Sequence, residues 1–139
     1  MNIAETLPTA IQTQLTLPLY LHSAQAGFDS PADADEPGVD LNDLLVRHAA
    51  TTFCARVRGD LMRDDGLLDG DLLIVDRSLY PSHGDIVVAG LDGELLCRRL
   101  DLRNSRLLAA DSSAEPLSLH NSADLRIEGV VTGSIRQFR

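Results

Sequence analysis

Residues 69–76 read Asp-Gly-Asp-Leu-Leu-Ile-Val-Asp, and this stretch decides the fold. Its consecutive apolar residues, Leu72 to Val75, are typical of a short β-strand that is covered on both faces. The glycine and the acidic residues around this run are common in turns, so they limit the length of the strand. We therefore expect a buried strand near the centre of a β-rich domain.

Further short strands are predicted on both sides of this one, each marked by apolar residues and bounded by turn formers. The candidates are residues 51–57, 85–91, 94–102, 106–110, 117–119 and 126–138. Asp92-Gly93 tolerates the positive φ angles of a type I′ turn and predicts a tight hairpin. Gly129 and Gly133 in the last candidate indicate bulges or close backbone approach. Many strands with little helix predict a mostly β fold.

The chain before residue 40 has a different character. Leu15 to Leu21 alternates apolar residues, which predicts an extended segment, and Pro8 and Pro18 restrict it to an edge or an arm. Residues 27–39 are rich in proline, glycine and acid, which favours an exposed linker, with an ordered surface loop as the alternative. We therefore divide the chain into a flexible N-terminal arm and linker, residues 1–39, and a folded domain, residues 40–139, which begins with a short helix capped by Asp40.

Composition narrows the class of protein. A chain of 139 residues that is 44% hydrophobic is long enough for one aliphatic core. A net charge of −9 opposes contact with phosphate backbones, so direct nucleic-acid binding is not expected. The neighbouring arginines Arg98, Arg99, Arg103 and Arg106 fit a solvated strand and loop better than a basic patch. Without a membrane-length apolar run or a secretory signal, we expect a cytoplasmic protein with no membrane partner.

No metal and no cofactor are predicted. Cys54 and Cys97 stand in apolar, strand-like contexts that favour packed, reduced thiols. The histidines are scattered along the chain without the spacing of metal ligands. They are His22, His48, His83 and His120.

Two segments resemble the catalytic segment of the LexA/UmuD family of self-cleaving Ser–Lys peptidases: residues 58–62 and residues 69–76. The motif of the family usually reads Ser-Gly-Asp-Ser-Met, and residues 58–62 here read Arg-Gly-Asp-Leu-Met. Further segments are similar to the family, and they occur in the same order and at the same spacing as in the family. They are residues 22–31, 39–45, 82–87, 92–94 and 129–131. The resemblance therefore covers nearly the whole chain. LexA-type repressors carry a helical DNA-binding domain ahead of the peptidase domain. The arm here is too short for one, so within the family the chain resembles UmuD-type proteins.

The resemblance implies a LexA/UmuD-type peptidase-domain β fold with a short helix and an extended N-terminal arm. It implies a homodimer that serves error-prone translesion DNA synthesis in the SOS response. A Y-family polymerase subunit (UmuC-like) and the RecA filament are the implied partners. Ala26-Gly27 resembles the bond that the family cuts.

Neither position of the family's catalytic dyad holds a catalytic group. Leu61 stands where the family has its nucleophilic serine, and Arg98 stands where it has the lysine base; the chain contains no lysine. A hydrocarbon cannot attack a carbonyl, and a guanidinium with a pKa above about 12 cannot accept the proton. The resemblance therefore implies an inactive member, a pseudo-peptidase. We expect Leu61 to fill the nucleophile pocket and Arg98 to pair with a carboxylate, such as Asp60, or to turn outward.

Three alternatives remain open at this point. The chain could cleave itself through an unrecognised nucleophile, for which Cys97 and His83 are weak candidates, because Cys97 alternates to the face opposite Arg98 and His83 lies in a predicted turn. An active UmuD/LexA-type paralogue could cut Ala26-Gly27 in trans. A transcriptional regulator would need a pair of DNA-binding helices, and nothing in the sequence resembles one.

Overall fold

The computed structural model describes residues 2–8, 16–17, 38–120 and 124–139, and it confirms the mostly β fold. The only α-helix within these residues, α1, spans Leu41–Leu45, and single 3-10 turns cover Ala49–Thr51 and Arg63–Asp65. The strands are β1 Asn2–Pro8, β2 Thr16–Leu17, β3 Val39–Asp40, β4 Thr52–Arg58, β5 Leu72–Asp76, β6 Ile86–Leu91, β7 Glu94–Asp101, β8 Arg106–Leu108, β9 Leu117–Ser118 and β10 Arg126–Ile135. No helix in the described residues is long and apolar enough to cross a membrane.

Eight of the described strands form one antiparallel sheet, in the order β1-β4-β5-β10-β6-β7-β8-β9. β1 also pairs with β7, so that β1, β4, β5, β10, β6 and β7 close into a ring. Closure of this kind satisfies the backbone groups that an open sheet leaves at its edges. The N-terminal strand is therefore the element that joins the two ends of the ring.

The predicted buried strand is β5, in which Leu73 to Asp76 are all buried. Neighbouring residues on β6 contribute to different apolar clusters, with Val88 in the first and Val87 in the second. The first cluster comprises Ala55, Val57, Met62, Leu67, Leu73, Val75, Val88 and Cys97. The second comprises Val87, Ala89, Leu100, Leu107 and Val130. Both faces of the central strands are thus covered, which is why their sequences read as continuous apolar runs.

The glycine predictions hold at the hairpin and in the last strand. Asp92 and Gly93 have φ angles of 51° and 83°, the positive values that a type I′ turn requires, and they connect β6 to β7. In β10 the pairing register shifts before Gly129 and again before Gly133. Each shift is the bulge that an interior glycine suggested.

Two compact units can be distinguished. One contains Met1–Thr9 and His48–Arg139; the other contains Ala10–Arg47. In the second unit β2 pairs with β3, and the Asp40 side chain accepts a hydrogen bond from the Asn42 amide, the predicted helix cap. The composition-based division placed a flexible arm before residue 40, whereas residues 2–8 pair as a strand of the large sheet. The boundary after residue 39 and the flexibility of this region stay predictions, and residues 18–37 lie outside the described part.

Candidate functional site

Leu61 lies in the turn that follows β4. The amide of Arg63 donates to the carbonyl of Asp60, and the amides of Asp65 and Leu67 donate to the carbonyl of Met62. Leu61 itself is half-buried and packs against the first apolar cluster, and its carbonyl accepts a hydrogen bond from the amide of Asp111. The side chain therefore contributes to the core, and its match to the serine of the family stays a prediction from the resemblance.

Arg98 lies on β7 opposite Val87 of β6, and only 8% of it is exposed. Its guanidinium donates from Nη1 to the carbonyl oxygen of Cys97 at 2.8 Å. Burial lowers the pKa of Arg98 below its ordinary value, yet a guanidinium stays charged in proteins and cannot serve as the base. The expectation that Arg98 could turn outward is wrong, because β7 is covered on both faces. Asp60 is exposed, and its pairing with Arg98 stays a prediction.

The backbone brings the segments that hold Leu61 and Arg98 to the same end of β1. Asn2 pairs with Arg58, three residues before Leu61, and also with Leu96, two residues before Arg98. Paired strands lie about 4.8 Å apart, so β4 and β7 are about 10 Å apart on either side of Asn2. The chain segments next to Leu61 and Arg98 are therefore close in space, although the two residues are far apart in sequence.

The alternative nucleophiles are not activated in this arrangement. Cys97 is fully buried, and burial raises the pKa of its thiol to about 12. A thiol with that pKa holds its proton at neutral pH, so its nucleophilic form is almost absent. Cys54 is half-buried, and both cysteines are free.

His83 serves the turn between β5 and β6. Its Nδ1 accepts a hydrogen bond from the amide of Leu102 at 3.1 Å. Nδ1 also lies 3.7 Å from Oδ1 of Asp101, an ion pair only if the ring is protonated. The contact with the Leu102 amide is the shorter of the two and is the better hydrogen bond. This role is structural.

A polar cluster around Asp76 at the end of β5 was not predicted from the sequence. Its carboxylate lies 2.7 Å from Nδ1 of His48 and accepts hydrogen bonds from the hydroxyls of Thr51 and Ser78 and from the Ser78 amide. Burial alone would raise the pKa of Asp76, but these hydrogen bonds outweigh it and hold the pKa well below its usual range. Asp-x-Ser after a strand is a signal for the Ser78 contacts, whereas His48 is 28 residues away and carries no local signal.

This cluster has the composition of a catalytic triad but not its geometry. Ser78 Oγ lies 3.3 Å from Nδ1 of His48, the same nitrogen that faces Asp76. A triad needs the carboxylate on one ring nitrogen and the hydroxyl on the other, so that the base can pass a proton. The cluster therefore fastens the start of β4 to the end of β5 and has no arrangement for acyl transfer.

An ion pair that the sequence did not reveal fixes the chain after β10. Arg136 donates from Nε and Nη2 to the two carboxylate oxygens of Asp71, at 2.8 and 2.7 Å. Asp71 is 1% exposed, and the hydrogen bonds from Arg136 lower its pKa. Nothing in the local sequence of either residue indicates the other, because 65 positions separate them. Among the described residues, no group of three or more His, Cys, Asp or Glu side chains could hold a metal ion.

A model of the Peptidase S24-like family matches residues 18–132, a range that includes Leu61 and Arg98. The chain belongs to this family. It is similar to Protein SamA of Salmonella typhimurium, with 41% identity over 95% of this chain and 94% of that protein. Protein ImpA of Escherichia coli is 42% identical over 88% of this chain and 85% of its own length. These relatives confirm the resemblance to UmuD- and LexA-type proteins.

A LexA repressor, from Syntrophotalea carbinolica, is 44% identical over 96% of this chain but only 66% of its own length. The chain thus corresponds to part of that repressor, whereas it spans most of SamA and ImpA. The third site prediction, the cleavage-like bond Ala26-Gly27, falls within the family match but outside the described residues.

Proposed function

We propose that this chain is a UmuD-like accessory protein of SOS mutagenesis that has lost self-cleavage and acts through protein partners. The observation that carries the proposal is the state of the dyad positions. Leu61 is packed with the apolar core, and Arg98 is a buried guanidinium. In the chemistry of the family, a hydroxyl attacks the peptide carbonyl and a neutral amine takes its proton. Neither group is present at these positions.

The proposed partners follow from the family. The chain works as a homodimer in the cytoplasm, with a Y-family polymerase subunit and the RecA filament as its contacts. Ala26-Gly27 remains a substrate for an active paralogue of the UmuD/LexA type. If no paralogue cuts it, the full-length form restrains mutagenesis instead of promoting it. The net charge of −9 supports a role through protein partners instead of direct contact with nucleic acid.

The first experiment asks whether the purified chain cuts itself. We expect no fragment beginning at Gly27 after prolonged incubation at alkaline pH or with an activated RecA filament. Mass spectrometry of the intact protein and its fragments provides the measurement. Appearance of that fragment from the wild-type chain would show that another nucleophile operates and would overturn the proposal of a pseudo-peptidase.

The second experiment restores the missing groups. We expect the double variant Leu61→Ser/Arg98→Lys to release a fragment beginning at Gly27, because the buried position would lower the pKa of the introduced lysine from about 10.4 and leave a neutral amine near physiological pH. The matched controls are the single variants Leu61→Ser and Arg98→Lys, expected to be at least about a thousandfold slower. A double variant that folds but stays uncut would mean that residues 61 and 98 are not the dyad positions.

A further inference from the structure

β1 occupies the slot between β4 and β7. Within the described residues, it is the one strand that pairs with both. Along one side it pairs with β4, from Asn2↔Arg58 to Pro8↔Phe53. On the other side it meets β7 at the pair Asn2↔Leu96. If β1 were absent, the ring of six strands would be open and β4 would be an edge strand. A free edge of this kind is a template for another extended segment.

Two side chains of β1 are described by the structure, and one of them contacts the core. Ile3 is half-buried and packs against the first apolar cluster, whereas Thr6 is exposed. The slot therefore offers an apolar pocket near Val57, the residue in register with Ile3, and a backbone ladder along β4. These two features are the usual elements of β-strand recognition, in which the ladder supplies affinity and the pocket supplies specificity.

The fit of β1 to β4 is imperfect. Ile3 pairs with Val57 and Glu5 pairs with Arg56, so Ala4 is an extra residue opposite a single step of β4. A bulge leaves its extra residue unpaired and interrupts the ladder. A segment of the same chemistry without the extra residue would pair continuously. β1 is thus the kind of occupant that another strand can replace.

The exposed side of β4 is basic in an otherwise acidic protein. Arg56 and Arg58 are exposed and alternate with the buried residues Ala55 and Val57. The residue of β1 in register with Arg56 is Glu5. Opposite charges at directly opposed positions of a strand pair stabilise the pairing. The slot therefore favours an extended segment with an apolar residue in the Ile3 register and an acidic residue in the Arg56 register.

We propose that the slot between β4 and β7 is a strand-binding site for a partner protein, and that β1 occludes it in the full-length chain. The partner supplies an extended segment of alternating apolar and acidic residues, which replaces β1 along β4. β1 lies before Ala26-Gly27 in the chain, so a cut there would remove its covalent tether to β4. The inference extends beyond the proposed function and does not depend on that cut, since displacement alone exposes the same edge.

The test uses the full chain and a labelled, end-blocked heptapeptide with the β1 sequence, Asn-Ile-Ala-Glu-Thr-Leu-Pro. In the chain, Ile3→Asp should release β1 by placing a charge in the apolar pocket. Thr6→Asp introduces the same charge at an exposed position of the same strand and is the matched control. We expect fluorescence anisotropy to show at least tenfold tighter peptide binding to the Ile3→Asp chain than to the wild-type or Thr6→Asp chains.

Hydrogen exchange separates release of β1 from general unfolding. In the Ile3→Asp chain, the amides of β4 that face β1 should exchange faster, while those of β5 and β10 keep their protection. If Ile3→Asp unfolds the whole sheet, a protease site inserted after Thr9 provides the second route. The folded chain is cut there, and dilution should then release β1 and allow the labelled peptide to bind.

A charge exchange tests the chemistry of the site. With β1 released, Arg56→Glu in the chain should weaken binding of the peptide at least fivefold, and a peptide carrying Glu5→Lys should recover that affinity. Equal binding to released and unreleased chains, or no binding once exchange shows that β4 is open, would overturn the proposal. Binding that ignores both charge changes would overturn the acidic specificity.

Discussion

Gly129 is the residue of β10 that allows the strand to cross closely over β5. A Cβ atom at this position would lie 2.6 Å from Cγ1 of Val75 and 3.3 Å from the carbonyl oxygen of Asp76. Val75 is fully buried and cannot move aside without displacing its neighbours in the core. The glycine is therefore required by its surroundings, and not by a positive φ angle.

The first prediction follows from this contact. Gly129→Ala should lower the free energy of unfolding by about 1 to 3 kcal/mol, the usual range for overpacking a filled core. Chemical denaturation gives the measurement. Gly90→Ala is the matched control, because its nearest neighbour would be the flexible Glu128 side chain, with Oε1 at 3.4 Å. Equal stability losses at the two positions would contradict the contact with Val75 as the cause, because the conformational preference of alanine over glycine in a strand is stabilising at both.

At the residue scale the sequence was informative where one position carries its own signal. Asp92-Gly93 predicts a turn and Gly129 predicts a bulge, and the structure confirms both. Leu61 departs from a known motif, and its assignment stays a prediction. His48 could not be assigned, because its ring meets Asp76 only after β4 and β5 have paired. The burial of Arg98 was not predicted either. Alternation along a strand indicates which face of the sheet a side chain lies on, but it does not indicate whether that face is covered.

At the element scale, the cluster around Asp76 joins β5 to the start of β4. Asp76 is 4% exposed, and its carboxylate receives hydrogen bonds from the hydroxyls of Thr51 and Ser78 in addition to the contact with His48. Hydrogen bonds to a charged group are stronger than neutral ones, and this added strength is lost when the carboxylate is protonated. This junction should therefore respond to acid.

The second prediction gives the sign of that response. Because the pKa of Asp76 is lower in the folded chain than its ordinary value of 3.8, its contribution to stability is complete above pH 3.8 and is lost as the pH falls through the lower folded-state pKa. Asp76→Asn should destabilise the chain by about 1 to 3 kcal/mol at pH 7. The gap between wild type and variant should narrow in acid, as measured by denaturation from pH 7 to pH 2.

A substitution that removes charge far from this cluster provides the control. Asp92→Asn changes an exposed carboxylate in the β6–β7 turn, where asparagine also tolerates the positive φ angle of 51°. Its stability relative to wild type should change little over the same pH range. A gap for Asp76→Asn that stays constant between pH 7 and pH 2 would contradict the lowered pKa.

The order of the strands shows the limit of sequence reasoning at this scale. Hairpins such as β6–β7 are local, and the sequence predicted that one from its turn. The position of β1 was not predicted, because its pairing with β4 joins residues about fifty positions apart and its sequence carries only a short alternation. Pairing between distant segments depends on which strand edge the rest of the sheet leaves open. The sequence of one segment does not specify that edge.

For the whole molecule, charge decides which partners are favoured. The net charge is −9, and the arginines that cluster in sequence do not form a free basic surface. Arg98 is buried, Arg99 pairs with Asp65 at 2.9 Å, and Arg106 pairs with Asp101 at 2.9 Å. Arg99 and Arg106 are thus paired with carboxylates, and Arg98 lies in the protein interior. Of the four, Arg103 lies exposed in the turn between β7 and β8.

The last prediction is that the chain does not bind duplex DNA by electrostatic attraction. Binding that neutralises phosphates releases counterions and strengthens steeply as salt is lowered, so a titration at low salt is the most sensitive test. We expect no saturable change in the anisotropy of a labelled duplex at about 20 mM salt, and none at about 150 mM. Arg103→Glu should give the same result as wild type. Saturable binding that weakens with salt and is lost in Arg103→Glu would show that the turn between β7 and β8 contacts phosphates, and it would redirect the proposed function from protein partners toward nucleic acid.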